Sequence, residues 1–238
     1  VRQEMVRRVG TEQVAQRWFD YFHLGSELDL SDARSSVDQG LLDMFKKPQP
    51  VFLMVSTIEP RKNHAYLLDA FERAWAVGSL ARLCIVGKIG WKCDALVERI
   101  RRHPELNKRL FMFNDLSDRS LEHAYSHATS LVFPSYVEGF GLPLVEAMQR
   151  GLPAMASDIP VFREIGGDYM AYFDLDKPQS LADLIIGMET TGVFPATLDL
   201  GGWRWLSWRE ASAQLVERIE RNLHNVAKVP ESQHAHCP

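Results

Sequence analysis

The sequence has few cysteines, no excess of charge of one sign and no long apolar run. Its 27 Lys and Arg residues face 31 Asp and Glu residues, a net charge of −4 that argues against nucleic acid as a partner. No apolar run approaches the ~20 residues that span a bilayer, and no secretory signal peptide is visible. The three cysteines, Cys84, Cys93 and Cys237, match no zinc spacing, and we interpret them as reduced thiols of a cytoplasmic protein.

A dinucleotide fingerprint is also missing. The first strand-like run, residues 51–57, leads into "STIEPRKN" and not into G-x-G-x-x-G, which argues against an oxidoreductase of the Rossmann type. The composition is otherwise that of an ordinary globular protein, with 46% hydrophobic and 24% charged residues among 238. A chain of this length can bury a sizeable core.

Apolar runs alternate with helical patterns from residue 48 onward. Strands are predicted at 51–57, 81–87, 109–114, 129–135, 152–157 and 169–174. Helices are predicted at 64–78, 94–103, 118–128, 142–151, 177–190 and 205–224. Strands that are apolar throughout are typical of a sheet buried on both faces, so the pattern predicts an α/β fold with a doubly wound parallel sheet. Ligands of such sheets bind beyond the carboxyl ends of the strands.

Composition divides the chain into three regions. Residues 1–47 combine a helical spacing with a polar stretch at 24–40 that is typical of a linker. Residues 48–200 carry the strand–helix alternation, and residues 201–238 carry the last helix and a tail. The tail has two histidines and a cysteine close together, but disorder is favoured there over metal binding.

The loop after the first predicted strand carries two adjacent cations. Arg61 and Lys62 immediately precede a predicted helix, and Asn63 is a plausible cap for it. Cations are disfavoured at the amino end of a helix, so this pair indicates an anionic partner. The alternative is a solvated pair at a helix start.

The stretch "PSYVEGFGLPLVEAMQR", residues 134–150, holds a second unusual loop. Gly139 and Gly141 allow close approach of the backbone to a ligand, and the unpaired amides at the helix start form an anion site. Glu138 and Glu146 flank this turn, and carboxylates accept hydrogen bonds from hydroxyls rather than bind phosphate. The pattern therefore indicates a ligand with phosphates between two hydroxylated rings, such as a nucleotide-sugar, with Glu146 at the ribose and Glu138 at the sugar.

The segment "EGFGLPLVE" resembles the E-x7-E signature of family 4 retaining nucleotide-sugar glycosyltransferases, which have the GT-B fold. "EPRKN" is similar to the diphosphate-binding segment of the same family, especially in its branch of bacterial mannosyltransferases for O-antigen and capsule assembly. The resemblance runs from about residue 50 to 224. It implies that residues 48–200 are the Rossmann-like C-terminal half of a GT-B fold, the half that binds the donor.

The resemblance also implies roles for individual residues. The three implied to be catalytic contact the transferred sugar or the diphosphate: Glu138, Arg61 and Lys62. The remaining positions bind the donor through backbone amides, the ribose or the base: Thr57, Gly139, Phe140, Gly141, Leu142, Glu146 and Leu116. Thr57 stands where the family has an arginine whose charge Arg61 supplies. The backbone of 115–117 around Leu116 would read the base, while Asp118 is favoured as a helix cap.

The activity that the resemblance implies is retaining transfer of a hexosyl group, with mannose and a GDP-sugar favoured, to a polysaccharide or lipid-linked acceptor. No cofactor and no metal are expected. We expect the N-terminal domain of the fold to be missing and the full-length protein to be cytoplasmic, with peripheral association at the inner membrane face left open. A non-catalytic module that binds a nucleotide or sugar phosphate is the alternative, because it would share the anion site without needing Glu138.

Overall fold

The computed structural model describes residues 2–15, 19–26 and 36–227. The chain divides into two units, one formed by residues 1–27 and 205–238 and the other by residues 28–204. The boundaries expected at 47/48 and 200/201 stay predictions. The expected linker at 24–40 lies partly outside the described residues, and the tail with Cys237 lies wholly outside them.

Helices and strands alternate along the larger unit. The strands are β1 (Val51–Val55), β2 (Arg82–Val86), β3 (Leu110–Phe113), β4 (Ser130–Phe133), β5 (Ala154–Ser157) and β6 (Ala171–Phe173). The helices of the described chain are α1 (Arg2–Val9), α2 (Thr11–Ala15), α3 (Gln39–Phe45), α4 (His64–Ala76), α5 (Asp94–Arg101), α6 (Asp118–His127), α7 (Leu142–Gln149), α8 (Pro160–Gly166), α9 (Pro178–Thr191) and α10 (Trp208–Ala227).

The six strands form one parallel sheet in the order β3-β2-β1-β4-β5-β6. The predicted doubly wound α/β fold is therefore confirmed. Strands β2, β4 and β5 are buried along their whole length, as apolar runs covered on both faces should be. Strand β3 is only partly buried because it lies at the edge of the sheet. The strand order reverses between β1 and β4, where such sheets form their ligand crevice.

Helix α4 shows how the apolar pattern becomes core. Leu67, Leu68, Phe71 and Trp75, which recur with a helical period in the sequence, are all buried. The chain leaves the helix through Gly78, whose φ of 96° is readily available only to glycine. Helix α8 was not predicted, because seven residues are too few to show a helical period.

The segment after α3 is held to the sheet by one buried arginine. The guanidinium of Arg82 donates to the carbonyl oxygens of Met44, Lys47 and Gln49, the last two at 2.6 and 2.8 Å. Its side chain is among the largest that are fully buried. Met44 lies in the last turn of α3, where a helix leaves carbonyl oxygens without a backbone partner, and Lys47 and Gln49 lie in the segment that follows, so Arg82 satisfies both parts.

The smaller unit is built from both ends of the chain. The backbone amide of Ser26 donates to the carbonyl oxygen of Leu206 at 3.2 Å, and the indole of Trp205 donates to that of Leu24 at 2.9 Å. The helical spacing near the start of the chain is interrupted at Gly10, which has a φ of 87° and separates α1 from α2.

Two further features of the chain bear on the sequence analysis. Cys84 and Cys93 are free thiols and buried, and burial raises the pKa of the Cys84 thiol well above its ordinary value. Among the helices of the described residues, none is long and apolar enough to cross a membrane.

Candidate functional site

Two loops meet where the strand order reverses. Residues 56–63 follow β1 and residues 134–141 follow β4, and these strands are parallel neighbours with Phe52 opposite Ser130. The loops are joined directly, because the backbone amide of Tyr136 donates to the carbonyl oxygen of Arg61 at 2.9 Å. The two sequence motifs, about eighty residues apart, thus lie side by side at one edge of the sheet.

The side chains of these loops form an ion cluster of Glu59, Arg61, Lys62 and Glu138. The Arg61 guanidinium contacts Glu59 through Nε at 2.6 Å and Glu138 through Nη1 at 2.9 Å. The Lys62 ammonium contacts Glu138 Oε1 at 2.5 Å. Two positive and two negative groups meet there, so the cluster is formally neutral in the absence of a ligand.

Glu138 is the centre of this cluster. Its side chain is 6% exposed and that of Lys62 is 10% exposed, whereas Arg61 is 44% exposed. Ser135 donates a third hydrogen bond to Oε1 at 2.8 Å. A carboxylate offers about four acceptor positions, and three are used here. Within the described residues Oε2 accepts only from Arg61, so one position remains for a hydroxyl.

The start of α4 differs from the prediction. Asn63 stands at the cap position, but it has a left-handed backbone (φ 58°, ψ 40°) and its side chain makes no capping hydrogen bond. Its buried Nδ2 has no partner among the described residues. Asn63 therefore holds the predicted cap position, but its side chain does not cap the helix. His64 follows it, and burial together with the nearby Lys62 charge lowers its pKa to about 4, so the imidazole is neutral at pH 7.

The start of α7 has the backbone that the sequence predicted. Gly141 precedes the helix with a φ of 104°, and a Cβ there would lie 3.0 Å from the Phe162 ring. Both facts favour glycine at this position. Gly139 is exposed, and a Cβ there would meet open space. Pro143 lies in the first turn, where its missing N–H costs no hydrogen bond.

Glu146 lies one turn into α7 and is half-buried. Its Oε2 accepts a hydrogen bond from the hydroxyl of Tyr125 at 2.9 Å. Tyr125 is buried on α6, and burial and the Glu146 charge raise its pKa well above the ordinary value. The tyrosine is therefore a neutral, permanent donor to this carboxylate.

Two other predicted site residues, Thr57 and Leu116, also follow strands of the sheet. Thr57 is exposed and is the second residue after β1. Leu116 is half-buried beyond β3, which β2 separates from β1. The expected cap at Asp118 is wrong, because Ser117 is the N-cap of α6 and its hydroxyl accepts from the Ser120 amide at 3.3 Å.

Sequence reasoning missed several contributors. Glu59 accepts from the indole of Trp91 at 3.1 Å as well as pairing with Arg61, and Trp91 is 57% exposed in the loop after β2. Glu59 was visible next to the cations, as part of "EPRKN". Ser135 and Tyr125 carry no local pattern that distinguishes them from ordinary strand-end and helix residues.

Comparison with known proteins bears on this geometry. Residues 44–195 match the family described as glycosyl transferases group 1. The chain belongs to this family. The match covers every strand of the sheet and both loops that carry the ion cluster, so the fold and the site lie inside the part that defines a group 1 glycosyl transferase.

The chain is also similar to a mannosyltransferase in sequence and to two solved structures in fold. The chain is 39% identical over 204 residues to the serotype-specific mannosyltransferase WbdA of Escherichia coli, covering 83% of this chain and 24% of that protein. In fold it resembles sucrose-phosphate synthase from Thermosynechococcus elongatus, with a TM-score of 0.68, 22% identity and coverage of 94% and 56% of the two chains. Anabaena Alr3699/HepE, solved with UDP and glucose, gives a TM-score of 0.68 at 16% identity, covering 94% and 60%.

Proposed function

We propose that this chain is the donor-binding half of a retaining glycosyltransferase. It would take part in transfer of a hexosyl group, mannosyl favoured, from a nucleoside diphosphate sugar to a saccharide or lipid-linked acceptor. The observation that carries the proposal is the ion cluster: Glu138 accepts from both Arg61 and Lys62 at the ligand edge of a doubly wound sheet, next to the amino end of α7.

The chemistry of this cluster suits the departure of a nucleoside diphosphate. The leaving group develops negative charge as it departs. Arg61, Lys62 and the backbone amides of residues 139–142 would stabilise this charge as preorganised hydrogen-bond donors that are partly shielded from water. Oε2 of Glu138 would accept a hydrogen bond from a hydroxyl of the transferred sugar. Its bonds to both cations fix the direction of this carboxylate relative to the phosphate groups.

The other parts of the donor would bind along the same edge of the sheet. Glu146 would accept hydrogen bonds from the ribose hydroxyls, Thr57 would lie by the diphosphate, and the backbone around Leu116 would contact the base. A GDP-sugar is favoured because the branch that the sequence resembles uses mannose. The charges of Arg61 and Lys62 supply the stabilisation of phosphate that a metal ion supplies elsewhere, so the proposal includes no metal or other cofactor.

The acceptor would be bound by a domain outside this chain. The chain spans about a quarter of the length of WbdA, 24%, which supports a protein with further domains. We propose that the missing N-terminal domain of the GT-B fold binds the acceptor and completes the active site. In the full-length protein we propose a cytoplasmic location, with contact to the inner membrane face where the acceptor is lipid-linked.

Titration calorimetry of the chain with GDP, UDP and ADP tests donor binding. We expect GDP to bind most tightly. Failure of all three nucleotides to bind would overturn the proposed site, and efficient transfer by the isolated chain would overturn the claim that it is only the donor half.

Glu138→Gln in the full-length protein separates a transferase from a non-catalytic binding module. We expect the transfer rate to fall at least a hundredfold, because the amide preserves shape but loses the charged acceptor, while nucleotide still binds at least as tightly as to wild type. Glu98→Gln, which removes a carboxylate from an exposed pair with Arg102 on α5, is the matched control. An unchanged rate in the Glu138 variant would favour the binding module.

A further inference from the structure

The carboxylate of Glu146 is held from a different helix. Tyr125 lies on α6, twenty-one residues earlier, and its hydroxyl donates to Oε2 at 2.9 Å. Tyr125 is 1% exposed, so its ring cannot move without disturbing the residues packed around it. Among the described residues, Oε1 of Glu146 has no hydrogen-bond donor. One oxygen is therefore fixed and the other is available to a ligand.

A second layer holds Tyr125 and Glu146 together. The guanidinium of Arg150 lies over the Tyr125 ring, 5.4 Å from its centroid. It donates through Nε to Glu122 at 2.7 Å and through Nη1 to the backbone oxygen of Glu146 at 2.7 Å. Glu122 and Tyr125 lie on α6, Glu146 lies on α7 and Arg150 follows α7 directly, so the contacts of these four residues join the two helices beside the Glu146 carboxylate.

We propose that Tyr125 is a positioning residue that orients Glu146 to discriminate the ribose of the donor from a sugar without its hydroxyls. The inference rests on the proposed function, since it requires a nucleotide at this edge of the sheet. A carboxylate free to rotate could satisfy itself with water, whereas one anchored at Oε2 presents Oε1 in one direction. Removing the hydroxyl should therefore weaken recognition of the ribose and leave recognition of the phosphates unchanged.

The experiment compares GDP with 2′,3′-dideoxy-GDP by calorimetry in the same chain. The wild-type protein is expected to bind GDP about tenfold more tightly than the dideoxy nucleotide, the effect of one or two hydrogen bonds to a charged group. In Tyr125→Phe we expect this ratio to fall to about two or less. The loss should come from weaker GDP binding, with the affinity for the dideoxy nucleotide unchanged.

Two further variants show whether the effect passes through Glu146. Glu146→Gln should reduce the ratio by itself, and adding Tyr125→Phe to it should reduce the ratio no further. Tyr172→Phe is the matched control: it removes a tyrosine hydroxyl that donates to the backbone oxygens of Phe162 and Gly167, and it should leave the ratio as in wild type.

The outcomes separate the inference from the proposed function. If the wild type binds neither nucleotide, the proposed function falls. If it binds both equally, or if Tyr125→Phe keeps the full ratio with only a lower melting temperature, the positioning role of Tyr125 is refuted. Should Tyr125→Phe fail to fold, Glu122→Gln replaces it, because it releases Arg150 from α6 and should lower the same ratio; a ratio unchanged in that variant refutes the role.

Discussion

Replacing Glu138 by glutamine removes one charge from the most buried pair of the ion cluster. The Lys62 ammonium, with a side chain 10% exposed, would keep an amide oxygen as partner but lose the carboxylate at 2.5 Å. Deleting one member of a buried pair outright costs about 3–5 kcal/mol. Because glutamine still accepts one hydrogen bond, we expect the free energy of unfolding to fall by about 2 kcal/mol.

A loss of this size is easily measured as a melting temperature. For chains of 150–250 residues, 1 kcal/mol corresponds to roughly 2–4 °C, so ligand-free Glu138→Gln should melt about 4–8 °C below wild type. The control Glu98→Gln breaks an exposed pair with Arg102 and should lower the melting temperature by about 2 °C or less.

Nucleotide should reverse part of this loss. In the variant the cluster has a net positive charge, and the diphosphate of GDP supplies the missing negative charge to Lys62 and Arg61. If half of the 2 kcal/mol is recovered on binding, GDP binds about fivefold more tightly to the variant than to wild type. At saturating GDP the difference in melting temperature should then shrink by about half.

Differential scanning fluorimetry with and without GDP measures both effects, and calorimetry gives the affinities independently. The decisive quantity is the difference between the GDP-induced shifts of the variant and of wild type. A smaller shift in the variant, with weaker GDP binding, would refute the idea that Glu138 competes with the diphosphate for the two cations.

Four other substitutions test the scaffold. The pKa of His64 is about 4 in the folded chain, below its unfolded value of about 6.5, so its contribution to stability is complete above pH 6.5 and is lost as the pH falls towards 4. Urea unfolding measures the free energy of unfolding at pH 7 and at pH 4. The difference between the two values should be about 3 kcal/mol smaller in His64→Gln than in wild type. Gly187 lies in α9 with open space around it, so Gly187→Ala should raise the free energy of unfolding by about 0.5–1 kcal/mol. Gly87→Ala should lower the free energy of unfolding by about 3 kcal/mol or more, because the new Cβ would lie 1.9 Å from the Ser56 carbonyl oxygen. Arg82→Met should lower the free energy of unfolding by about 3 kcal/mol or more, because the substitution leaves the carbonyl oxygens of Met44, Lys47 and Gln49 without this donor. For each substitution, a urea midpoint equal to that of wild type would contradict the structural reason given.

The sheet could be predicted from the sequence because each strand is an uninterrupted apolar run and each long helix has a regular inner face. Helix α4 is the clearest case, with predicted bounds of 64–78 and observed bounds of His64–Ala76. Helix ends were harder, because Ser117 and Asp118 are both good caps and one residue of shift decides between them. Asn63 is the N-cap residue of α4, but it has a left-handed backbone and its side chain makes no capping hydrogen bond.

Most of the proposed site residues could be named from the sequence because they lie in two short motifs, but their mutual contacts could not be predicted. Nothing local in the sequence indicates that Glu138 pairs with Lys62, seventy-six residues away, since that contact depends on β1 and β4 being neighbours. Tyr125 is the same kind of case: its role depends on the packing of α6 beside α7, and a tyrosine in a helix is ordinarily core.

The bond between the Tyr136 amide and the Arg61 carbonyl sets the distance between the two loops through the main chain. Side chains in the cluster can therefore change while the frame that carries them is conserved. Exchanging charges at residues 61, 62 and 138 would therefore alter which anion the site prefers without requiring a new backbone.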